Sequence, residues 1–223
     1  MPTAEVIVLA ASKKMGGLCV AGVSTRSGRW ARPVSDLEHG QLERGHCEVA
    51  GRLPRLLDVV RFEYVEQLDD PAQPENLLLD DRPWEWVETI EPSLAYERLR
   101  GSLVRGPRLL GNRGKAMLDE KAREGVESSL ALVEPQEPLV FRAERKDGGR
   151  LSPRVEFQLR GQGYDIGITD FVVGPRLRQL GEGEYSAEEL GLGRPGHVLL
   201  TASLGEPLDE WRWKLAAAIQ FLP

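Results

Sequence analysis

Short apolar segments separated by turn residues occupy both ends of this sequence. Those of the first third are EVIVLAASKK, GLCVAGVST and RWARPVS, and those of the last third include PRVEFQLRGQGYDIGITDFVV, HVLLTASLG and RWKLAAAIQFL. Segments of this length bounded by glycine turns predict β-strands. No regular alternation of strand and helix is visible, which argues against a βαβ protein. The expected fold is therefore mainly β.

The middle of the chain has a different composition. Residues 68–92 are rich in Asp, Glu, Pro and Trp, and the prolines exclude a long regular element there. Ser93 is a candidate cap for a short helix, and the segment KAMLDEKAREGVESSL from Lys115 predicts a second helix. Both helices are expected to be short and peripheral.

Charge and cysteine content limit the expected partners and the cellular location of the protein. With 29 Lys and Arg against 35 Asp and Glu, the net charge is −6, so binding to nucleic acid would need a local basic patch. Two cysteines are too few for a disulfide framework, and the apolar run Val6 to Ala11 is too short to cross a bilayer. We expect a cytoplasmic protein with no membrane partner.

Metal and catalytic signals are weak. The residues with metal-ligand character are Cys19, His39, His46 and Cys47, whose spacing fits no zinc pattern. Cys47 and His46 are neighbours and, in a strand, would point to opposite faces. The paired carboxylates lack a partner base or a metal-binding histidine. The sequence therefore predicts no metal, no cofactor and no enzyme.

The most distinctive cluster surrounds the expected hairpin between the second and third strands. Arginines interleaved with an exposed aromatic residue suit single-stranded nucleic acid, because the cations follow phosphates while the ring stacks on a base. The candidate binding residues are Lys13, Lys14, Arg26, Arg29, Trp30 and Arg32. In the alternative interpretation, Trp30 fills the bottom of a barrel and Arg32 binds a carboxylate or backbone carbonyls.

A second basic stretch runs from Arg98 to Arg123, with eight basic and two acidic residues. Its glycine-rich part superficially resembles a phosphate loop, but Lys115 is followed by Ala116 rather than by Ser or Thr. The alternative is a plain basic loop. The candidate supplementary phosphate contacts are Arg108, Arg113 and Lys115.

Thr169 and Asp170 follow an expected strand and form either a hydrogen-bonded turn or, with Lys214, a ligand-binding turn. An enzyme that uses Asp170, Lys214 and Cys47 is a further hypothesis, which no spacing requires.

Several segments together resemble a known family. The blocks VIVLAASKKMGGLCVAGVSTRSGRWARPVS, QPENLLLD, RVEFQLRGQGYDIGITD and RWKLAAAI, in this order, are similar to the bacterial dual OB-containing domain family. The resemblance implies two OB-like barrels with short peripheral helices. It implies a first barrel over residues 1–125, with a helical excursion, and a second over 126–223, in one compact unit. It also implies an association with prokaryotic conflict or defence systems and the sensing of nucleic acid. The first expected function is therefore a non-enzymatic module that binds or senses nucleic acid.

A different class of function is an adaptor whose barrels bind a small ligand or a protein encoded nearby. Its anchors would be tryptophans, which are frequent at interface hot spots. They are Trp84, Trp86, Trp211 and Trp213. The simpler expectation for these residues is core packing, and it applies most to Trp84 and Trp86.

Overall fold

The computed structural model describes residues 1–146, 148–193 and 195–223 and consists mainly of β-strands, as expected. The chain divides into two units. The first contains Met1–Ser102 and Gly125–Ser129, and the second contains Leu103–Glu124 and Leu130–Pro223. In the described part of the chain, no helix has the length and apolarity that a bilayer span requires.

The first unit contains six strands and two helices. The strands are β1 (Thr3–Lys14), β2 (Gly17–Ser24), β3 (Trp30–Val34), β4 (Asp58–Gln67), β5 (Asn76–Leu79) and β6 (Glu85–Thr89). The helices are α1 (Arg44–Cys47) and α2 (Pro92–Leu99), and a 3₁₀ turn follows at Arg100–Ser102.

The strand pairings of the first unit close on themselves. The order β1-β2-β3-β5-β4 returns to β1 through an additional β1–β4 pairing, and β6 extends the sheet beyond β4. The β3–β5 pairing is parallel, and the others are antiparallel. A closed ring of five strands with such a crossover is the connectivity of an OB-type barrel.

The strand β2 pairs with β1 on one side and with β3 on the other. Its apolar and small residues predict such an inner position in a sheet. Val20, Ala21 and Val23 are buried. Gly22 lies against β1 so closely that an added Cβ would be 2.1 Å from the Ile7 carbonyl oxygen. A side chain at this position would push the two strands apart.

In its described residues, the second unit contains eight strands and two helices. The strands are β7 (Ala116–Leu118), β8 (Leu130–Val133), β9 (Gln136–Arg145), β10 (Leu151–Leu159), β11 (Gln162–Ile168), β12 (Gly183–Tyr185), β13 (His197–Leu208) and β14 (Trp211–Leu222). The helices are α3 (Asp119–Arg123) and α4 (Val173–Leu180).

The second unit repeats the connectivity of the first. Its sheet has the order β12-β9-β10-β11-β14-β13-β8, and β7 pairs with β14. Only Glu134 and Pro135 separate β8 from β9, so these two strands together take the place of one bent first strand. That first strand pairs with the second strand β10 and the fourth strand β13, while β11 pairs in parallel with β14.

Two expectations about the middle of the chain are wrong. The segment from Lys115 forms the strand β7 and the five-residue helix α3 instead of a single helix. The short helix α2 is present, but it begins at Pro92 after Glu91 and is not capped by Ser93.

The boundaries of the two units also differ from residues 1–125 and 126–223. Residues 103–124 belong to the second unit, because Val104 N–H donates to the Leu132 carbonyl and β7 pairs with β14. Residues 125–129 belong to the first unit, where Val126 N–H donates to the Pro71 carbonyl.

Candidate functional site

A groove of about 600 Å³ opens at one end of the ring in the first unit. It lies where β1, β3 and β5 begin and where β2 and β4 end. The β2–β3 turn and the first residues of β3 form one side, with Arg26, Arg29 and Trp30. The other lining residues include Thr3, Glu5, Arg61, Tyr64, Gln67, Glu75 and Leu77.

Hydrogen bonds hold the β2–β3 turn in place. The Ser24 hydroxyl accepts from the backbone N–H groups of Arg26 and Ser27 at 3.3 and 3.2 Å, and Gly28 has a φ of 68°. In the chain as far as it is described, no ion pair or side-chain hydrogen bond involves the exposed guanidinium of Arg26 or Arg29. The turn therefore presents two available cations on a fixed backbone.

Trp30 begins β3 beside these cations. Its backbone pairs with Val23 of β2, and its side chain is only partly buried at the wall of the groove. The indole therefore reaches solvent next to two guanidinium groups.

The acidic residue Glu5 is already neutralised by neighbours. Arg61 Nη2 lies 2.7 Å from Glu5 Oε2, and the Thr25 hydroxyl donates to Glu5 Oε1 at 2.8 Å. These two hydrogen bonds lower the pKa of Glu5. Arg61 also contacts Glu85 at 3.0 Å, so its charge is compensated as well. Within the described residues, the groove cations that form no ion pair are therefore Arg26 and Arg29, and the charge of Arg26 also helps to lower the pKa of Glu5.

Arg32 does not belong to this surface. It is 3% exposed, its Nη2 lies 2.9 Å from Glu75 Oε1, and its Nε donates to Asn76 Oδ1 at 2.6 Å. Glu75 in turn accepts from the Ser129 N–H at 3.0 Å. The guanidinium of Arg32 thus joins β3, β5 and residues 125–129, which is the structural role that the sequence left open, and no ligand reaches it.

Lys13 and Lys14 lie at the far end of the β1–β2 hairpin. They pair with Leu18 and Gly17, whereas the groove end of β1 pairs with Ser24 through Val6. Eight residues of extended strand separate the two ends by about 27 Å. The structure therefore does not bring the two lysines together with Arg26 and Arg29.

The family comparison covers nearly the whole chain. The model of the dual OB-containing domain matches residues 4–219. The chain belongs to the dual OB-containing domain family. No curated protein sequence matches it.

Two solved structures resemble this dual OB chain at 11% identity. One is the crystal structure of the tetrameric p202 HIN2, with a TM-score of 0.32, covering 100% of this chain and 94% of that one. The other bears the description "Molecular basis for abrogation of activation of pro-inflammatory cytokines". Its TM-score is 0.30, and the match covers 99% of this chain and 93% of that one. Both TM-scores are too low for either likeness to bear on function.

The blocks that carry the dual OB resemblance meet in space. In the first unit, Arg32 and Val34 of RWARPVS pair with Asn76 and Leu78 of QPENLLLD. In the second unit, Ile168, just before Thr169 and Asp170, pairs with Ala216 of KLAAAI. Each pair of blocks forms the parallel third–fifth strand contact of its ring, so these blocks are explained by the fold.

The second unit uses Asp170 and Lys214 structurally. Asp170 Oδ1 accepts from Val172 and Val173 N–H at 2.7 and 2.6 Å, and Oδ2 accepts from Ile219 N–H at 3.2 Å. The carboxylate therefore fastens the start of α4 to β14. Burial raises the pKa of Asp170, while these N–H donors oppose the shift.

Lys214 is 1% exposed and binds the loop before β7. Its Nζ donates to the carbonyl oxygen and to Oδ1 of Asn112 at 2.9 and 2.8 Å, and it lies 5.3 Å from the Tyr164 ring centroid. Burial lowers the pKa of Lys214 to about 8. Because Lys214 and Asp170 bind different partners, they do not form the candidate ligand turn with Thr169, whose N–H donates to the Ala216 carbonyl.

Cys47 has no features of a nucleophile. The thiol lies in the core of the first unit, and burial raises its pKa to about 11, so it is protonated at neutral pH. Throughout the described ranges, no group of three or more His, Cys, Asp or Glu side chains could hold a metal ion.

The three predicted phosphate contacts of the second unit lie at its surface. Arg108, Arg113 and Lys115 are all exposed, and Lys115 Nζ lies 5.4 Å from the centroid of the Trp213 ring. The sequence placed Lys115 among phosphate contacts and Trp213 among protein anchors, and it gave no sign that the two residues touch. Their contact depends on the β7–β14 pairing, which links residues about one hundred positions apart.

The prediction that the tryptophans pack in the core is confirmed for Trp84 and wrong for Trp86. Trp84 is buried and stacks on Phe62 with ring centroids 4.9 Å apart. Trp86 is 47% exposed because it lies on β6, which extends the sheet beyond the closed ring. Trp211 and Trp213 are exposed as well.

Proposed function

We propose that this protein is a non-enzymatic module that binds or senses single-stranded nucleic acid through the groove of its first unit. The observation that carries the proposal is the pair of exposed guanidinium groups, Arg26 and Arg29, which form no ion pair in the described chain and lie beside the partly exposed Trp30. The setting we propose is a prokaryotic conflict or defence system, which is what the family resemblance implies.

The physical argument combines charge with stacking. Each arginine that neutralises a phosphate releases counterions, which makes binding salt-dependent. A tryptophan beside the cations adds base stacking, worth about 1–3 kcal/mol per base. OB barrels commonly present such surfaces to oligonucleotides. With a net charge of −6 for the whole chain, binding depends on these local charges.

The experiment is fluorescence-anisotropy titration of short single-stranded DNA and RNA at two salt concentrations. The variants are Trp30→Ala and Arg29→Ala. Arg55→Ala is the matched control, because Arg55 is also an exposed arginine of the first unit and precedes the opposite end of β4 from the groove. We expect Arg29→Ala to weaken binding and to reduce the slope of log K against log salt by about 0.7.

Two outcomes would overturn the proposal. One is the absence of binding by the folded wild-type protein at low salt. The other is equal binding by the Arg29→Ala and Arg55→Ala variants. Oligonucleotides recovered intact after incubation with the protein would agree with a non-enzymatic role, and cleavage would contradict it.

A second candidate function is an adaptor that binds a protein partner. The observation that favours it is the exposure of Trp86 on β6, a strand whose own charged residues, Glu85 and Glu88, are both acidic. An isolated complex that withstands high salt and is lost in Trp86→Ala would favour the adaptor over the nucleic-acid module.

A further inference from the structure

The strand β14 begins with two exposed tryptophans on one face. Trp211 and Trp213 are 42% and 39% exposed, whereas Arg212 and Lys214, which alternate with them, are buried. Arg212 Nε contacts Asp119 Oδ1 at 2.5 Å, and Lys214 binds Asn112. The inward-facing residues therefore fix the strand, so the two indoles are presented on a rigid backbone.

A cation lies over one of the two rings. Lys115 Nζ is 5.4 Å from the Trp213 centroid, and Ala116 pairs with Trp213 across β7 and β14. Lys115 is the last basic residue of a stretch, residues 103–118, that contains four basic residues and no acidic one. The basic residues are Arg105, Arg108, Arg113 and Lys115.

The other end of this surface is acidic. Asp209 and Glu210 form the turn that precedes Trp211. Trp213 therefore lies at a basic end and Trp211 at an acidic end. A polyanion would approach along the Trp213 side, where Lys115 lies over the ring.

We propose that Trp213 and Trp211, with Lys115, form a second contact for single-stranded nucleic acid. We call these three residues the tryptophan platform. The ligand class rests on the proposed function, but the platform belongs to the second unit and shares no residue with the groove.

The spacing of the rings selects among nucleic-acid forms. Two residues along a β-strand advance about 6.8 Å, which is about twice the 3.4 Å rise per base of a stacked strand. Neighbouring bases that stack one on each ring must therefore separate from each other, which a single strand permits and a paired duplex resists. Trp213, beside Lys115, carries the larger share of the contact.

The test uses the full chain and a fluorescent six-nucleotide oligothymidylate, with a duplex long enough to stay paired at the assay temperature for comparison. We expect Trp213→Ala to weaken single-strand binding about tenfold, Trp213→Phe to stay close to wild type, and duplex binding to be the weaker in every protein. Trp86→Ala is the matched control, since Trp86 is equally exposed but lies between acidic residues. Lys115→Glu, at an exposed side chain, gives a variant that leaves the β14 side chains unchanged.

The outcomes separate the platform from the groove. If Trp213→Ala and Lys115→Glu both bind like Trp86→Ala while Arg29→Ala binds more weakly, the platform proposal is wrong and the groove proposal is supported. If Trp213→Ala binds more weakly while Arg29→Ala does not, the platform proposal is supported and the groove proposal is wrong. Absence of wild-type binding to any oligonucleotide overturns both, and so would capture of a protein partner through Trp213 without oligonucleotide binding.

Discussion

Arg32 and Glu75 place two opposite charges in the interior of the first unit, where each is held by the other and by polar neighbours. Removing one partner of such a pair leaves an uncompensated buried charge. We expect Glu75→Gln to lower the free energy of unfolding by about 3–5 kcal/mol in urea titrations at neutral pH. Loss of nucleic-acid binding in Arg32→Ala would therefore report misfolding and not a lost contact.

The matched control for this prediction is Glu63→Gln. Glu63 binds Arg82 at 2.7 Å on the surface of the same unit. Exposed pairs contribute about 0–1 kcal/mol, so this variant is expected to unfold close to wild type. Equal destabilisation by the two substitutions would show that burial of the Arg32–Glu75 pair has no special importance.

Lys214 gives stability a distinctive pH dependence. Its pKa is lowered to about 8 in the folded protein by burial, whereas an unfolded lysine keeps its ordinary value of 10.5. Between these two values the unfolded chain binds more protons than the folded one, so stability rises with pH. Below pH 8 the buried Lys214 is charged in the folded protein, so the free-energy cost of its desolvation is fully present. The gain from pH 8 to 10.5 amounts to about 3 kcal/mol.

The measurement is urea unfolding of wild type and Lys214→Met at pH 7, 8, 9 and 10. Other groups that titrate in this range, including Cys47, contribute to both proteins and cancel in the difference. We expect wild type to gain stability relative to Lys214→Met as pH rises. A constant difference across the range would mean that Lys214 titrates normally.

At the scale of elements, the sequence predicts strands better than helices. The apolar segments of β1, β2, β13 and β14 identify these strands because burial in a closed sheet requires such patterns. The residues after Lys115 have good helix formers, but the pairing of β7 with β14 overrides this propensity. Pairing between distant segments is not visible in local composition.

In the candidate site, too, contacts between distant segments could not be predicted from local sequence. The β2–β3 turn, with Arg26, Arg29 and Trp30, is a local feature, and short-range spacing places these residues together. The burial of Arg32 depends on Glu75, 43 positions later in the chain, and no nearby residue indicates it. Local spacing also groups Lys13 and Lys14 with the turn, although the length of the hairpin separates them.

Gly22 tests how tightly β1 and β2 approach. An added Cβ would lie 2.1 Å from the Ile7 carbonyl oxygen and 2.8 Å from its carbonyl carbon, both backbone atoms. Such overpacking against backbone has no side chain that could move aside, and we expect Gly22→Ala to destabilise the protein by about 3 kcal/mol in thermal unfolding. Gly45→Ala, where nothing lies within 4 Å of the new Cβ, is the control. Equal melting temperatures of the two variants would contradict the close approach.

At the scale of the whole molecule, the two units use one connectivity with unlike sequences. In both, the first strand pairs with the second and the fourth, and the third pairs in parallel with the fifth. Their exposed basic and aromatic residues differ in position: the turn after β2 in the first unit and the start of β14 in the second. The shared ring supplies rigidity, and the ligand preference of each unit follows from what its own loops and strand ends present.

Removal of β14 is expected to affect the two units differently. The strand pairs with β7, β11 and β13, and it supplies Lys214 and the Ile219 N–H that bind Asn112 and Asp170. A chain that ends before Trp211 therefore leaves the second ring open and these polar groups unpaired, whereas the first ring contains no part of β14. In hydrogen-exchange mass spectrometry we expect β10 and β13 to lose protection while β1 and β2 keep it.

The control is the full-length Trp211→Ser/Trp213→Ser variant, which changes only exposed side chains. In this variant we expect the amides of both units to stay protected. Full protection of β10 in the truncated chain would show that the second ring does not need its fifth strand, and loss of protection in β1 would show that the two units unfold together.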